Sequence, residues 1–296
     1  MPSPLTIARA LRVHQWPKNL LVFVAPALAH RIADRAVLAD AGSAFVAFCL
    51  VASAGYLFND MWDRGADRTD PEKQTRPIAS GELTVRTAMF LAAPLFVAGV
   101  LIAFAMSAPR LAWILIAYAL ASATYTTTFK RIVIVDVLVL ALLYSLRVLG
   151  GGVAAQTPVS AWLLGFSTFF FLSLAFVKRY SELQRVAAAP EVATRRGYAA
   201  ADVAIVRTMG LAAGYQSVLI LALYLNSSEV IRLYRTPSAL WLVCPLVLYW
   251  ISRLWLRAHR GQLHSDPLVF ALADPVSYML GVATVLVVAG ATMSFA

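Results

Sequence analysis

Charge is scarce in this chain: Asp, Glu, Lys and Arg make up 14% of its 296 residues, against about a quarter in an average soluble domain. Hydrophobic residues reach 60% and the mean hydropathy is +0.73. That shortage excludes a disordered chain, a coiled coil and an ordinary water-soluble enzyme. Cysteine is nearly absent. Cys49 and Cys244 each stand alone in an apolar stretch, which argues against a disulfide framework or a thiolate metal site and for packing. The four histidines, His14, His30, His259 and His264, show no ligand spacing, which argues against a zinc enzyme.

Long apolar runs are what the chain has in quantity. Crossing a hydrocarbon core of ~30 Å takes roughly 20 apolar residues as helix. Nine apolar segments stand out, at 19–33, 42–59, 86–107, 111–128, 133–154, 160–177, 209–227, 238–256 and 275–295. They predict an all-α polytopic membrane protein of nine transmembrane helices, one domain over residues 1–296. The first segment is short and holds Pro26, so a tilted, kinked or partly inserted helix is expected there. Basic residues ahead of Leu20–Ala25 also admit a cleavable leader, against which stand its length and the RVHQWPKN stretch.

The formal net charge is +10. Nucleic acid is one taker for such an excess, but cytoplasmic loops of membrane proteins carry it as a rule. With nine spans and the N-terminus inside, nineteen of the 25 Lys and Arg fall on the inner side, Arg195 and Arg196 among them. Five fall outside (Arg31, Arg35, Arg110, Arg232 and Arg235), and Arg147 lies within a span. The expectation is a multi-pass protein of the cell's inner membrane, N-terminus and charged face cytoplasmic, with no nucleic-acid partner. The two longest polar segments, 60–84 and 178–207, each follow the second helix of a four-helix set. That hints at a duplicated architecture, a pattern transporters share.

The first polar segment reads YLFNDMWDRGADRTDPEKQTRPIASG and holds six of the chain's 15 acids between Asp60 and Glu82. Asn59, Asp63 and Asp67 are spaced i, i+4, i+8, so on a helix that runs past the membrane surface they share one face, with Asp60 beside them. Oxygen ligands stacked in this way repel one another unless a cation sits among them. Carboxylate and amide oxygens without His or Cys suit Mg²⁺ or Mn²⁺, and Mg²⁺ is commonly held by one or two carboxylates together with substrate phosphates. Asn59, Asp60, Asp63 and Asp67 are therefore the candidate metal and catalytic residues. The competing reading is a solvated helix with charge pairs such as Asp60–Arg64.

Residues Asn59 to Asp67 (NDMWDRGAD) resemble the first aspartate-rich motif of the UbiA superfamily of intramembrane prenyltransferases, and the resemblance extends over essentially the whole chain. It implies a nine-helix bundle with a cytoplasmic site in which this motif binds Mg²⁺ and a substrate diphosphate. Typical members carry a second, D-x-x-x-D motif after the sixth span. Here that stretch is Phe176–Leu183, FVKRYSEL, with Lys178 and Arg179 against one carboxylate, Glu182. One acidic and one basic cluster suit a metal-bound diphosphate plus a metal-free phosphate. LRVHQWPKNLLVF, the run from Tyr125 to Asp136, K-R-x-x-E-L and RGQLHSDPLVFALADP resemble the branch of decaprenyl-phosphate phosphoribosyltransferases. That branch implies transfer of phosphoribose from phosphoribosyl diphosphate (PRPP) to a polyprenyl phosphate with release of diphosphate.

Under that reading the phosphates take donors from Arg12, Gln15, Lys18, Lys73, Arg76, Lys130, Arg131, Lys178 and Arg179, with Tyr125 positioning phosphate or ribose. Singly, each cation also reads as one snorkelling to the interface. Asp136 and Arg147 lie in the fifth segment, three helical turns plus about 20° apart and so on one face. Asp136 reads as orienting Lys130 or touching substrate. An arginine near mid-span costs at least ~2.5 kcal/mol and needs a polar cavity or a partner, so Arg147 marks either the deep end of a substrate cavity or a structural pair. Asp266 and Asp274, each before a proline, read mainly as helix caps. Gly150–Gly152 lacks the Lys-Ser/Thr ending of a phosphate loop and reads as a turn or close packing. Two other readings stay open: a prenyltransferase with an aromatic acceptor, and a lipid-phosphate transporter or binding protein. A homo-oligomer is compatible with all three.

Overall fold

The computed structural model describes residues 2–106, 108–188, 197–263, 266–271 and 273–292; Arg195, Arg196, His264 and the last residues of the 275–295 segment lie outside them. The described elements are all helical. In order they are α1 (Pro4–Ala10), a 3-10 stretch (Val13–Phe23), α2 (Val24–Leu28), α3 (Arg35–Trp62), α4 (Arg64–Arg68), α5 (Pro77–Ser80), α6 (Val85–Ala105), α7 (Pro109–Thr127), α8 (Val135–Ala154), α9 (Ala161–Ala188), α10 (Val203–Leu225), α11 (Ser228–Leu233), α12 (Val243–His259), α13 (Pro267–Ala271) and α14 (Pro275–Thr292), with short 3-10 turns between some of them.

Among the described residues seven helical stretches, not nine, are long and apolar enough to cross a membrane: 35–62, 85–105, 135–154, 161–186, 200–225, 237–259 and 275–292. The two expected segments that drop out do so for different reasons. Over 19–33 the chain runs as 3-10 helix and then as the five-residue α2, with Pro17 in the first and Pro26 in the second. Proline has no N–H to give and its ring clashes with the preceding turn, and the left-handed His30 (φ +58) ends the run. The fourth segment does form a 19-residue helix, α7. Arg110 at its start and the polar run Thr124–Thr127 at its end lower its hydropathy below that of the seven.

The chain divides into two compact units, Met1–Lys130 with Leu143–Val159 and Arg131–Leu142 with Ser160–Ala296, so α8 begins in the second and ends in the first. In the first unit α3 packs on α6 and α7 and on the 3-10 stretch. Gly151 of α8 lies close against the 3-10 stretch: a Cβ there would stand 1.9 Å from the Val22 carbonyl oxygen. The triple glycine is thus close packing within a helix. In the second unit α9 packs on α10, and α12 on both and on α14. Apolar side chains fill both interiors, Cys49 and Cys244 among them. They also cover the outside, as Met89, Phe90 and Leu101 on α6 and Met279, Val282 and Val285 on α14 show. Outward apolar faces of this extent are those of helices in lipid. The chain is a multi-pass membrane protein.

Candidate functional site

The acidic residues sit where α3 ends. The helix breaks at Asp63, yet the Asp63 amide still donates to Asn59 O at 2.9 Å and the Asp67 amide to Asp63 O at 2.8 Å. The four-residue spacing therefore survives the break and keeps Asn59, Asp63 and Asp67 in sequence along one side. Asn59 Nδ2 donates to Asp63 Oδ2 at 3.1 Å and to Thr126 Oγ1 of α7 at 3.2 Å.

Each carboxylate of this group faces a cation. Asp60, 3% exposed, accepts from Arg12 at 2.5 Å and from Arg76 at 3.2 Å. Asp67 accepts from the same Arg76 nitrogen at 2.8 Å. Asp63 takes the Lys130 ammonium on both oxygens, at 2.5 and 2.6 Å. Arg12 reaches Asp60 from a left-handed backbone (φ +51) between α1 and the 3-10 stretch, its guanidinium also over the Tyr56 ring at 5.0 Å. Residues other than glycine adopt that conformation only where the surroundings hold them. Here α1 is tied down by Thr6 and Arg9, which donate to Glu82, and by Arg9, which donates to Thr75 O. Burial and the neighbouring Arg12 and Lys18 charges hold the His14 pKa below its ordinary value.

Of the other expected residues in this unit, Lys73 pairs with Asp70 at 2.6 Å, Tyr125 is half-buried and Arg131, at the edge of the second unit, is exposed. Lys18 is buried with its ammonium 5.9 Å from the Tyr144 ring centroid. The side chain of Gln15 takes no part in these contacts. Arg147 is 3% exposed and donates to Asn19 Oδ1 (2.7 Å), Leu143 O (2.6 Å) and the Tyr118 hydroxyl (2.7 Å), with its guanidinium against the Tyr118 and Tyr144 rings. It therefore ties α7, α8 and the 3-10 stretch together. Neither Asn19, Tyr118 nor Thr126 stood out in the sequence. Thr126 follows the expected Tyr125, and Asn19 follows Lys18, so adjacency was the available signal.

The second unit holds the Lys178-Arg179 element, and its charge is compensated. Arg179, 1% exposed, meets Asp136 at 2.5 Å and Glu182 one turn on, while Lys178 lies 3.6 Å from Asp266. Tyr198 donates to Asp136 Oδ1 at 2.7 Å and accepts from the Ile134 amide at 2.9 Å; burial pushes its hydroxyl pKa up. Two cations thus come with three carboxylates, of which sequence spacing showed only Glu182. Within this unit the charged partner of Asp136 is Arg179. Asp274 accepts from the Ser277 amide at 2.8 Å, the cap expected of it. It also takes a two-pronged pair from Arg253 at 2.7 and 2.8 Å, which holds its carboxyl well below the usual range.

The donor set decides whether a divalent cation fits the acidic end of α3. Asn59, Asp60, Asp63 and Asp67 offer oxygen only, the chemistry hard cations take. Among the described residues no three or more His, Cys, Asp or Glu side chains converge on one point. The described residues alone therefore make no complete cage. The residues fit an ion that takes its remaining ligands from outside this group.

A model of the UbiA prenyltransferase family matches residues 20–274. An uncharacterized Sinorhizobium fredii protein, y4nM, is 37% identical over 276 residues, 92% of this chain and 53% of its own length. The chain thus spans about half of that relative. Nodulation protein NoeC of Azorhizobium caulinodans is 37% identical over 290 residues, 96% of this chain and 92% of its own. The decaprenyl-phosphate phosphoribosyltransferase of Mycolicibacterium smegmatis is 39% identical over 184 residues, 60% of this chain and 57% of its own. A UbiA homolog from Archaeoglobus fulgidus, solved with GPP and Mg²⁺, shares the fold at a TM-score of 0.71 and 17% identity, over 96% of this chain and 97% of its own.

Proposed function

The chain belongs to the UbiA prenyltransferase family, and on that footing we propose that it transfers 5-phosphoribose from PRPP to a polyprenyl phosphate of decaprenyl type, releasing diphosphate. The likeness to the decaprenyl-phosphate phosphoribosyltransferase of M. smegmatis supports the substrate pair. The observation that carries it is the alternation of charge at the end of α3, where Asp60, Asp63 and Asp67 are interleaved with Arg12, Arg76 and Lys130. Such a site suits a diphosphate through both of its signs: the oxygens would hold a cation, and the arginines and lysine would meet phosphate oxygens.

Asn59, Asp60, Asp63 and Asp67 would hold Mg²⁺, or Mn²⁺, whose contribution is to stabilise charge on the departing diphosphate. Arg12, Arg76 and Lys130 orient the donor and add fixed positive charge where negative charge grows. The bond from ribose C1 to the diphosphate oxygen breaks, its electron pair leaving with diphosphate. An oxygen of the lipid phosphate closes the new bond to C1. That oxygen is already ionised near neutral pH, so no general base is required.

In the second unit Arg179 serves as the buried anchor of Asp136 and Glu182. Lys178, 37% exposed, is the group left to contact phosphate. The excess of Lys and Arg over Asp and Glu, +10 in all, supports a cytoplasmic position at the inner membrane for the acidic end of α3. The test is a transfer assay with purified protein in lipid–detergent micelles: label from phosphoribose-labelled PRPP enters the lipid phase only with polyprenyl phosphate and Mg²⁺ both present. Consumption of a prenyl diphosphate instead of PRPP would overturn the proposal.

A further inference from the structure

We infer that Thr126 is a positioning residue for the metal site, acting through Asn59; the inference rests on Asn59 being an oxygen donor to the ion. An amide side chain presents either its oxygen or its nitrogen to a neighbour, and only the oxygen can ligate a cation. Asp63, with Lys130 on both of its oxygens, accepts hydrogen bonds and gives none, so the atom of Asn59 turned to it is Nδ2, at 3.1 Å. The second N–H of the amide goes to Thr126 Oγ1 at 3.2 Å. Both donors are then occupied on the protein side, and Oδ1 accepts nothing from the described residues.

The threonine is placed for this task by its helix. Its neighbours Thr124 and Thr127 turn their hydroxyls back on their own helix, to Leu120 O at 2.8 Å and Ala123 O at 3.1 Å, as threonines on helices commonly do. Thr126, 2% exposed, instead accepts across the α3–α7 contact. Without that acceptor one amide N–H is unsatisfied at a buried contact, and the plane of the amide is held by Asp63 alone. Groups that orient a metal ligand typically change metal affinity about 10- to 100-fold when lost.

The test is the Mn²⁺ concentration giving half-maximal retention of ³²P-labelled inorganic diphosphate on the purified protein, with the thermal midpoint measured alongside. Thr126→Val is expected to raise that concentration about ten-fold, Thr126→Ser to stay within about two-fold of the parent, and Thr126→Val in an Asn59→Ala background to add nothing further. Unchanged Mn²⁺ dependence in Thr126→Val, or an equal effect of Thr126→Val with and without Asn59, overturns the inference. So does loss of thermal stability in Thr126→Val with its Mn²⁺ dependence intact. If the parent protein itself retains no diphosphate in a Mn²⁺-dependent way, the metal–diphosphate reading falls, and the inference with it.

Discussion

Removing either member of the Asp136–Arg179 pair should unfold the protein more readily than removing both. The two side chains are 0% and 1% exposed and 2.5 Å apart, so each solvates the other's charge where water does not reach. Breaking a buried pair from one side typically costs about 3–5 kcal/mol, because a charge is left behind. In Asp136→Asn, Arg179 keeps Glu182 and the new amide oxygen can still accept from Tyr198, which sets the expectation at the low end, about 3 kcal/mol. In Arg179→Met, Asp136 keeps the Tyr198 hydroxyl as its one side-chain partner among the described residues, and the upper end applies. Asp136 Oδ2 and Arg179 Nε and Nη2 make no well-aligned hydrogen bond even in the parent, so little is lost when both charges go. Asp136→Leu with Arg179→Met should cost less than either single change, with a coupling of about 2–3 kcal/mol. Equilibrium unfolding in mixed micelles gives the four free energies of the cycle. Additive costs, or an Asp136→Asn variant of parental stability but lost turnover, would refute the pairing argument and make Asp136 a substrate contact.

Asp63→Ala should abolish phosphoribose transfer while leaving the thermal midpoint within a few degrees, since Asp63 is partly exposed and its partner Lys130 can turn to water. Undiminished turnover would put the site elsewhere. Asp274 has a folded pKa below its unfolded one, so its pair with Arg253 stabilises above the unfolded carboxylate value and is lost as pH falls through the folded one. A plot of thermal midpoint against pH should therefore drop below about pH 4 in the parent and less so in Asp274→Asn. Equal slopes would remove the linkage. Gly151→Ala drives a methyl group into the Val22 carbonyl. Overpacking of this sort costs typically about 1–3 kcal/mol, and a folded yield equal to the parent's would contradict the close approach.

What was legible in the sequence were the features set by local spacing. Long apolar runs specify membrane helices because a segment in lipid must satisfy its own backbone, and the four-residue step of Asn59, Asp63 and Asp67 survives even the helix break at Asp63. Hydropathy overcounted the spans where backbone chemistry intervened: the first run, already short, became 3-10 and short helix around Pro17 and Pro26. Neutralisation was the larger gap. The partners of the acidic residues come from 9 to 67 positions away, Arg76 to Asp67 and Lys130 to Asp63, and one of them depends on a left-handed Arg12 that no pattern announces. The Lys178-Arg179 element looked basic because Asp136 and Asp266 are remote in sequence and adjacent only in the fold.

A structure determined with Mg²⁺ and PRPP bound tests the central claim most directly. Asn59, Asp60, Asp63 and Asp67 are expected around the ion, which also carries diphosphate oxygens, with Arg12, Arg76 and Lys130 moved from those carboxylates to phosphate. Carboxylates still paired with the same three cations, and the sugar diphosphate lodged away from the end of α3, would contradict it.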